Sequence, residues 1–213
     1  MEQQNRAIHR ANVGLDKGVL RPVSQAYGTV VPEPIQKGVS NFASNLALPG
    51  MVLNNLLQAR VADASTNAFR FAFNTTFGLG GLLDFVGEDI PMQTTDFGET
   101  LYVWGVPEGT YTELPFFGPS TTRHVVGRVV DFAINPTRAV TATPESGILT
   151  GSRIAAGVGY RYEFTGLVDG VLYDSADSYA QAKLLYLQNR RFALSGETQA
   201  EDFDPYEDVY GTE

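Results

Sequence analysis

No cysteine occurs in the 213 residues. Disulfides, thiolate metal sites and a cysteine nucleophile are therefore excluded. Histidine is almost as scarce: His9 and His124 are the only imidazoles. Two are too few for a His-rich metal site, and the Asp/Glu spacing shows no calcium loop. Neither a metal nor a cofactor is expected. Basic residues are also few, 15 Lys and Arg against 24 Asp and Glu, for a net charge of −9. A nucleic-acid surface needs clustered Lys and Arg to displace counterions, so no nucleic-acid partner is expected. The acids are unevenly placed. Seven lie between Glu197 and Glu213, where there is no base. Without that stretch 17 acids face 15 bases, so residues 1–196 carry only −2. "MEQQNRAIHR" has no apolar core region, so no signal peptide is read there.

Catalytic signatures are thin. "GLGG" at 78–81 has no lysine after it to hold a phosphate, and it is not a P-loop. It is not G-x-G-x-x-G either, because the third glycine position holds Leu83. Glycines that let helices and aliphatic chains approach closely explain it more simply. Ser120, His124 and Asp131 could in principle assemble a triad, since Asp131 lies seven residues beyond His124 on one helix. No G-x-S-x-G elbow supports it. The simpler reading makes Ser120 a helix N-cap and His124 a first-turn residue. No catalytic residue is expected.

What is present is helix-length segments between frequent punctuation. Helices are expected over 3–19, 34–48, 50–59 (broken near Pro49), 63–77, 95–104, 120–134, 145–171 and 175–194. The Pro of "NPTR" stops the helix that Ser120 starts. Pro22, Pro32 and Pro34 each suit a first helical turn. "GTYTELPFFGPS" at 109–120 has β-branched and aromatic residues bounded by Gly and Pro, which predicts a short hairpin. The expected fold is mainly α, one helical domain over 1–196 with one short β-hairpin. The acidic 197–213 has no periodicity and reads as a loosely ordered tail.

Two segments are unusual. "GVSNFASNLALPGMVLNNLLQA", 38–59, has no charge between Lys37 and Arg60. Its length could cross a bilayer, but Asn41, Asn45, Asn54, Asn55 and Gln58 would be costly there. An apolar face opposite an amide face fits a helix lying at a membrane interface, or a core helix with bonded amides. In the second segment, Asp63, Asn67, Arg70 and Asn74 recur at i, i+4, i+7 and i+11, a narrow polar seam. Phe69, Phe73 and Phe77 form a separate apolar stripe. Either this is a core helix with its seam toward solvent, or a wall between lipid tails and a polar passage. Both readings stay open on the residues alone. Tyr102, Trp104, Tyr111, Phe116 and Phe117 gather around the hairpin, as packing or as an aromatic rim at headgroup level.

Several stretches, taken in order, resemble one family. They are "NRAIHRANVGLDKGVLRPVSQAY", "VVPEPIQKGVSNFASNLALPGMVLNNLLQAR", "RFAFNTTFGLGGLLDF" and "DFGETLYVWGVPEGTYTELPFFGPSTTRHVVG". Together they resemble the MlaA/VacJ family of outer-membrane lipoproteins of Gram-negative bacteria. The resemblance is strong over about 4–135 and looser through "DSADSYAQAKLLYLQNRRFALSG". The family's lipid-modified cysteine has no counterpart in this chain. The resemblance implies a ring-like helical protein in the inner leaflet of the outer membrane, at its periplasmic face. It implies an amphipathic channel that takes phospholipids misplaced in the outer leaflet and passes them to a soluble periplasmic carrier. It also implies a trimeric porin neighbour, no enzymatic activity and no cofactor.

A lipid-extracting ring needs an outside that tolerates acyl chains and an inside that tolerates a headgroup. The expected lipid-contacting set is Phe42, Leu46, Leu53, Leu56, Leu57, Phe69, Phe73, Phe77, Leu79 and Leu82. The expected polar lining, placed from the wheel, is Asp63, Asn67, Arg70 and Asn74, with Arg70 able to meet a phosphate. Gly78, Gly80 and Gly81 are the expected hinge between two lipid-compatible walls. The competing classes are a membrane-associated lipid hydrolase using Ser120 or His124, and a porin-bound structural module without lipid passage.

Overall fold

The computed structural model describes residues 1–87, 89–136 and 146–195. The chain opens with one long rod. Helix α1 (Glu2–Leu15) runs into a wide turn (Asp16–Leu20), where Arg21 N–H reaches back to Asp16 C=O, and then into α2 (Arg21–Val30). Pro22 sits in the first turn of α2, where no intrahelical N–H is needed. Helix α3 (Glu33–Asn45) starts the same way, with Pro32 as cap and Pro34 inside.

The break expected near Pro49 lies earlier, at Leu46–Ala47, and Pro49 opens α4 (Leu48–Leu57) instead of closing its predecessor. Proline is tolerated in a first turn because that N–H has no partner to lose. Helix α5 (Val61–Thr76) follows, then turns without a helix through the glycine loop, then α6 (Phe97–Val103). Asp96 caps α6 by accepting from Glu99 N–H at 2.8 Å.

The expected hairpin forms: β1 (Tyr111–Leu114) pairs antiparallel with β2 (Gly118–Thr121), with Tyr111 opposite Thr121. Ser120 is in β2 and is not the helix cap; Thr121 holds that place, and α7 spans Thr122–Ile134. Pairing with Thr112 keeps Ser120 in the ladder. The single helix expected over 145–171 is two, α8 (Ser146–Glu163) and α9 (Thr165–Leu172). Phe164 leaves helical geometry, and the Thr165 hydroxyl donates to the Tyr162 and Arg161 carbonyls. Helix α10 (Ser178–Ser195) ends the described chain. Glu145, Thr137 and Arg138 of "NPTR", and the tail 197–213 lie outside the described residues.

The elements close into a ring. α1 packs on β1, β2 on α7, α7 on α6, α6 on α4 and α4 on α5; α5 meets α3, α3 meets α8, and α8 meets α2. The wide turn joins α2 back to α1. Helix α10 lies on α9 and β2. At the α6–α7 crossing a side chain is impossible: a Cβ on Gly127 would sit 2.4 Å from Gly98 N.

Burial in this ring is inverted. Among the described residues the buried hydrophobic side chains are Leu48, Ala64, Tyr179 and Leu194. Buried polar and charged side chains outnumber them several-fold, including Asn45, Asn54, Asn55, Asn67, Arg70 and Asn74. Large apolar side chains lie outside on nearly every helix. A water-soluble domain sorts its residues the other way.

Candidate functional site

Helix α4 shows how the inversion is built. Its amide face points inward. Asn54 donates to Asp131 Oδ1 at 2.8 Å and accepts from the Thr100 hydroxyl at 3.0 Å. Gln58 donates to the hydroxyls of Thr95 and Thr100 at 2.7 and 3.0 Å. Asp131 also accepts from Phe97 N–H at 2.9 Å, so one carboxylate ties α4, α6 and α7. Burial raises its pKa above the usual carboxylate range, although these two bonds oppose the shift. With the amides spent inward, Leu56 and Leu57 face outward and Leu53 is half-buried. Phe42 and Leu46 of the preceding segment are also half-buried.

Helix α5 divides in the same way. Phe69 and Phe77 are exposed, and Phe73 lies half-buried between them with ring centroids 5.6 and 4.8 Å away. Leu79 and Leu82, in the turn that follows, continue the apolar surface; Leu79 is 70% exposed. Trp104 adds an exposed ring at the end of α4, its Nε1–H donating to Leu57 C=O at 3.2 Å. The stripe, the leucines of α4 and the glycine turn thus all expose large apolar side chains.

The polar seam of α5 faces the protein, not solvent. Asn67 holds the backbone of Gln93 from both sides, donating to its C=O at 2.8 Å and accepting its N–H at 3.0 Å. Arg70 donates to Gly87 C=O at 3.0 Å, to Ile90 C=O, and to Asp84 Oδ2 at 2.7 Å. Asn74 donates to the other oxygen of Asp84 at 2.7 Å. Burial works against the Asp84 charge, but Asn74, Gly87 N–H and Arg70 hold its pKa below the usual value. Asp63 is half-buried in the first turn. Three of the four seam residues therefore fasten the loop between α5 and α6.

The glycines make that fastening possible. Gly81 has φ +98°, and a Cβ there would lie 2.5 Å from the Asn45 side chain. A Cβ on Gly78 would lie 2.1 Å from Leu83 C=O. Asn45 donates to the Thr75 hydroxyl at 3.0 Å and to Gly80 C=O at 3.3 Å, closing α3 onto the turn.

The triad considered from sequence is not assembled. His124 Nδ1 pairs with the Tyr186 hydroxyl at 2.7 Å, and its Nε2 accepts from Arg128 at 3.2 Å. Ser120 Oγ is buried without a partner among the described residues, and Asp131 is committed to α4 and α6. Burial, with Arg128 and Arg190 beside it, pushes the His124 pKa down to about 4. Among the described residues no group of three His, Asp or Glu could hold a metal. No helix among them is long and apolar enough to cross a membrane.

Two buried polar clusters escaped the sequence reading. Arg161 binds Asp16 with two bonds of 2.9 and 2.8 Å and Asp169 at 2.6 Å, and Tyr173 also donates to Asp16. His9 lies between Glu113 and Ser178. Each joins chain segments more than 100 residues apart, so no local spacing marks it. The only signal was that His9 and several acids fall inside helical or strand segments.

The family model for the MlaA lipoprotein matches residues 1–193. The chain belongs to the MlaA lipoprotein family. Its relatives include the intermembrane phospholipid transport system lipoprotein MlaA of Shigella flexneri, 34% identical over 92% of this chain and 78% of that protein. The MlaA protein of Escherichia coli K12 is 33% identical over the same shares. An uncharacterised protein of Rickettsia felis is 32% identical over 84% of this chain and 70% of its own length. Among solved structures, one described as the structural basis for maintenance of bacterial outer membrane lipid asymmetry superposes with a TM-score of 0.78. That match is 31% identical and covers 91% of this chain and 97% of the other. The mainly helical ring with one hairpin is thus the MlaA fold.

Proposed function

We propose that this chain is a phospholipid-transfer component of the outer membrane. It extracts phospholipids misplaced in the outer leaflet through an amphipathic channel and hands them to a soluble periplasmic carrier, beside a trimeric porin. Transfer makes and breaks no covalent bond. The observation that carries this reading is the inverted burial of the ring: polar side chains inside, Leu and Phe outside. An apolar belt on helices too short and polar to span suits a protein lying in one leaflet. The family and the roles of its relatives, phospholipid transport and outer-membrane lipid asymmetry, point the same way.

Leu56, Leu57, Phe69, Phe77, Leu79 and Leu82 are the proposed acyl-chain contacts. Phe42, Leu46, Leu53 and Phe73 lie beneath them. For the polar wall the proposal is narrower than the wheel suggested. Asn67, Arg70 and Asn74 hold the loop that forms the wall, and Arg70 already has a carboxylate partner in Asp84. The turn Gly78–Gly81 remains the proposed hinge.

Mass spectrometry of lipids retained after mild detergent purification tests the function. Phospholipid is expected to co-purify. A monomer that stays soluble without detergent and carries no lipid overturns the proposal.

A further inference from the structure

Among the described residues three arginines are buried: Arg70, Arg123 and Arg161. Arg70 is paired with Asp84 at 2.7 Å, and Arg161 with Asp16 and Asp169 at 2.8 and 2.6 Å. Arg123 differs. It is 7% exposed, and no carboxylate among the described residues pairs with it. Its one hydrogen bond there runs from Nη1–H to Val106 C=O at 2.9 Å. A guanidinium has five N–H donors and stays charged, so burying one without a countercharge is costly. Its other nitrogens are not sealed in protein, as Arg70 Nε and Arg161 Nη1 are. Arg123 instead lies in the wall of a cavity of about 450 Å³, a size suited to a small molecule.

Three stretches of chain build that cavity. Helix α6 ends in a turn at Gly105, φ +83°, where Gly105 N–H donates to Tyr102 C=O and Val106 N–H to Leu101 C=O, both at 2.9 Å. This turn sets the Val106 carbonyl against the guanidinium. Helix α7 starts with Thr122 N–H on Thr110 C=O at 3.0 Å and Arg123 N–H on Glu108 C=O at 3.2 Å. Those N–H groups are spent, so the side chain of Arg123 and not the helix end faces the cavity. The Tyr102 ring covers one face of the guanidinium, 5.1 Å from Cζ to the ring centroid, and leaves its edge for in-plane hydrogen bonds. Helix α10 contributes Arg191, whose side chain is 66% exposed and whose Nε donates to Glu108 Oε2 at 3.1 Å. The wall thus holds two guanidinium groups against one carboxylate, in a chain whose net charge is −9. Val106, Pro107 and Leu194 supply its apolar part.

We propose that Arg123 and Arg191 form a binding site for a phosphate group, the phosphodiester of a lipid headgroup or a free phosphate. Arg123 supplies fixed donors from the buried side. Arg191 supplies a second guanidinium from the exposed side, tethered by Glu108. Planar forks of this kind match phosphate oxygens. The apolar part of the wall takes the carbon portion of a headgroup. A bound phosphate gives Arg123 the countercharge that Asp84 gives Arg70. The site does not rest on the transfer reading, since a free phosphate also satisfies it.

The test uses the full chain in dodecyl maltoside at low ionic strength. It is titrated by calorimetry with inorganic phosphate and, separately, with sn-glycero-3-phosphoglycerol. Saturable one-to-one binding is expected. It weakens roughly 10-fold in Arg123→Gln and in Arg191→Gln, each losing a charge-assisted hydrogen bond. It is unchanged in Arg10→Gln, which alters an exposed arginine of α1. Circular dichroism reports whether Arg123→Gln keeps its helices; if it does not, Arg191→Gln decides, because that side chain is mostly exposed. Tighter binding of the glycerophosphodiester assigns a lipid headgroup, and tighter binding of inorganic phosphate assigns a free phosphate. No saturable binding of either probe by the unaltered chain overturns the proposal. So does binding that both variants leave unchanged. Equal competition by acetate overturns it as well, since it shows a carboxylate site. None of these readouts is lipid transfer, so failure here leaves the transfer reading standing.

Discussion

His124 shows what burial among arginines does to an imidazole. Burial first, then Arg128 and Arg190, depress its folded pKa to about 4 from an ordinary 6.5. Between those values the unfolded chain binds a proton that the folded chain refuses. Stability from this group is therefore full above pH 6.5 and falls as pH drops toward 4. Melting temperature is expected to fall as pH is lowered from 6.5 to 4, and this dependence to flatten in His124→Gln. The carboxylate Asp84 acts in a lower window. Its folded pKa lies below 3.8, so its contribution is present above that value and is lost as pH falls beneath it. A second residue, Asn67, holds both backbone groups of Gln93. Asn67→Ala strands a buried donor and an acceptor, at about 1–3 kcal/mol for each group left unsatisfied. A lower urea midpoint and faster proteolysis between 78 and 95 are the expected readouts. The wheel found these seam positions, because helical period alone sets their angle. It did not find their direction. A wheel does not say which side is protein, and the ordinary rule, apolar inward, points the wrong way here.

At the scale of elements, helices and hairpin were legible because apolar period and turn residues are local. What failed was local as well. The α3–α4 break moved because Pro49 opens a helix as readily as it ends one. The split between α8 and α9 depends on one hydroxyl, Thr165, taking two carbonyls, which no period reports. The outward Phe stripe of α5 gives a direct test of the apolar belt. Moving one Phe side chain from water into an apolar phase is worth about 2 kcal/mol. Phe69 and Phe77 are 48% and 63% exposed, so in water they supply little to folding. The double variant Phe69→Ser, Phe77→Ser is expected to keep its urea midpoint while partitioning into phospholipid vesicles roughly 30-fold more weakly, reading about half of each transfer energy. Vesicle flotation measures it. Equal flotation of the variant and the parent would remove α5 from the membrane-facing belt.

At the scale of the whole molecule, the ring stays closed without a hydrophobic centre, so charged and amide contacts must hold its seams. The clearest of these joins chain segments about 145 residues apart in sequence. Asp16, in the wide turn after α1, meets Arg161 near the end of α8, and Asp169 of α9 completes the pair. Both partners are nearly buried, with side chains 8% and 10% exposed. Burial opposes the Asp16 charge, yet Arg161 and Tyr173 hold its pKa below the ordinary value, so the ion pair prevails. Removing one partner of a buried pair leaves a desolvated charge and costs about 3–5 kcal/mol. Asp169 still faces Arg161, which places Asp16→Ala at the lower end of that range. If the ring is the working unit, the loss is not only one of stability. Opening the contact between the wide turn and α8 loosens the ring beside the place where α2 meets α8, without touching the apolar belt. Asp16→Ala is therefore expected to float with vesicles like the parent, to unfold at lower urea and to retain less phospholipid on purification. A variant that unfolds earlier yet holds its full complement of lipid would show that lipid is carried by the apolar exterior alone, and that closure of the ring plays no part in holding it.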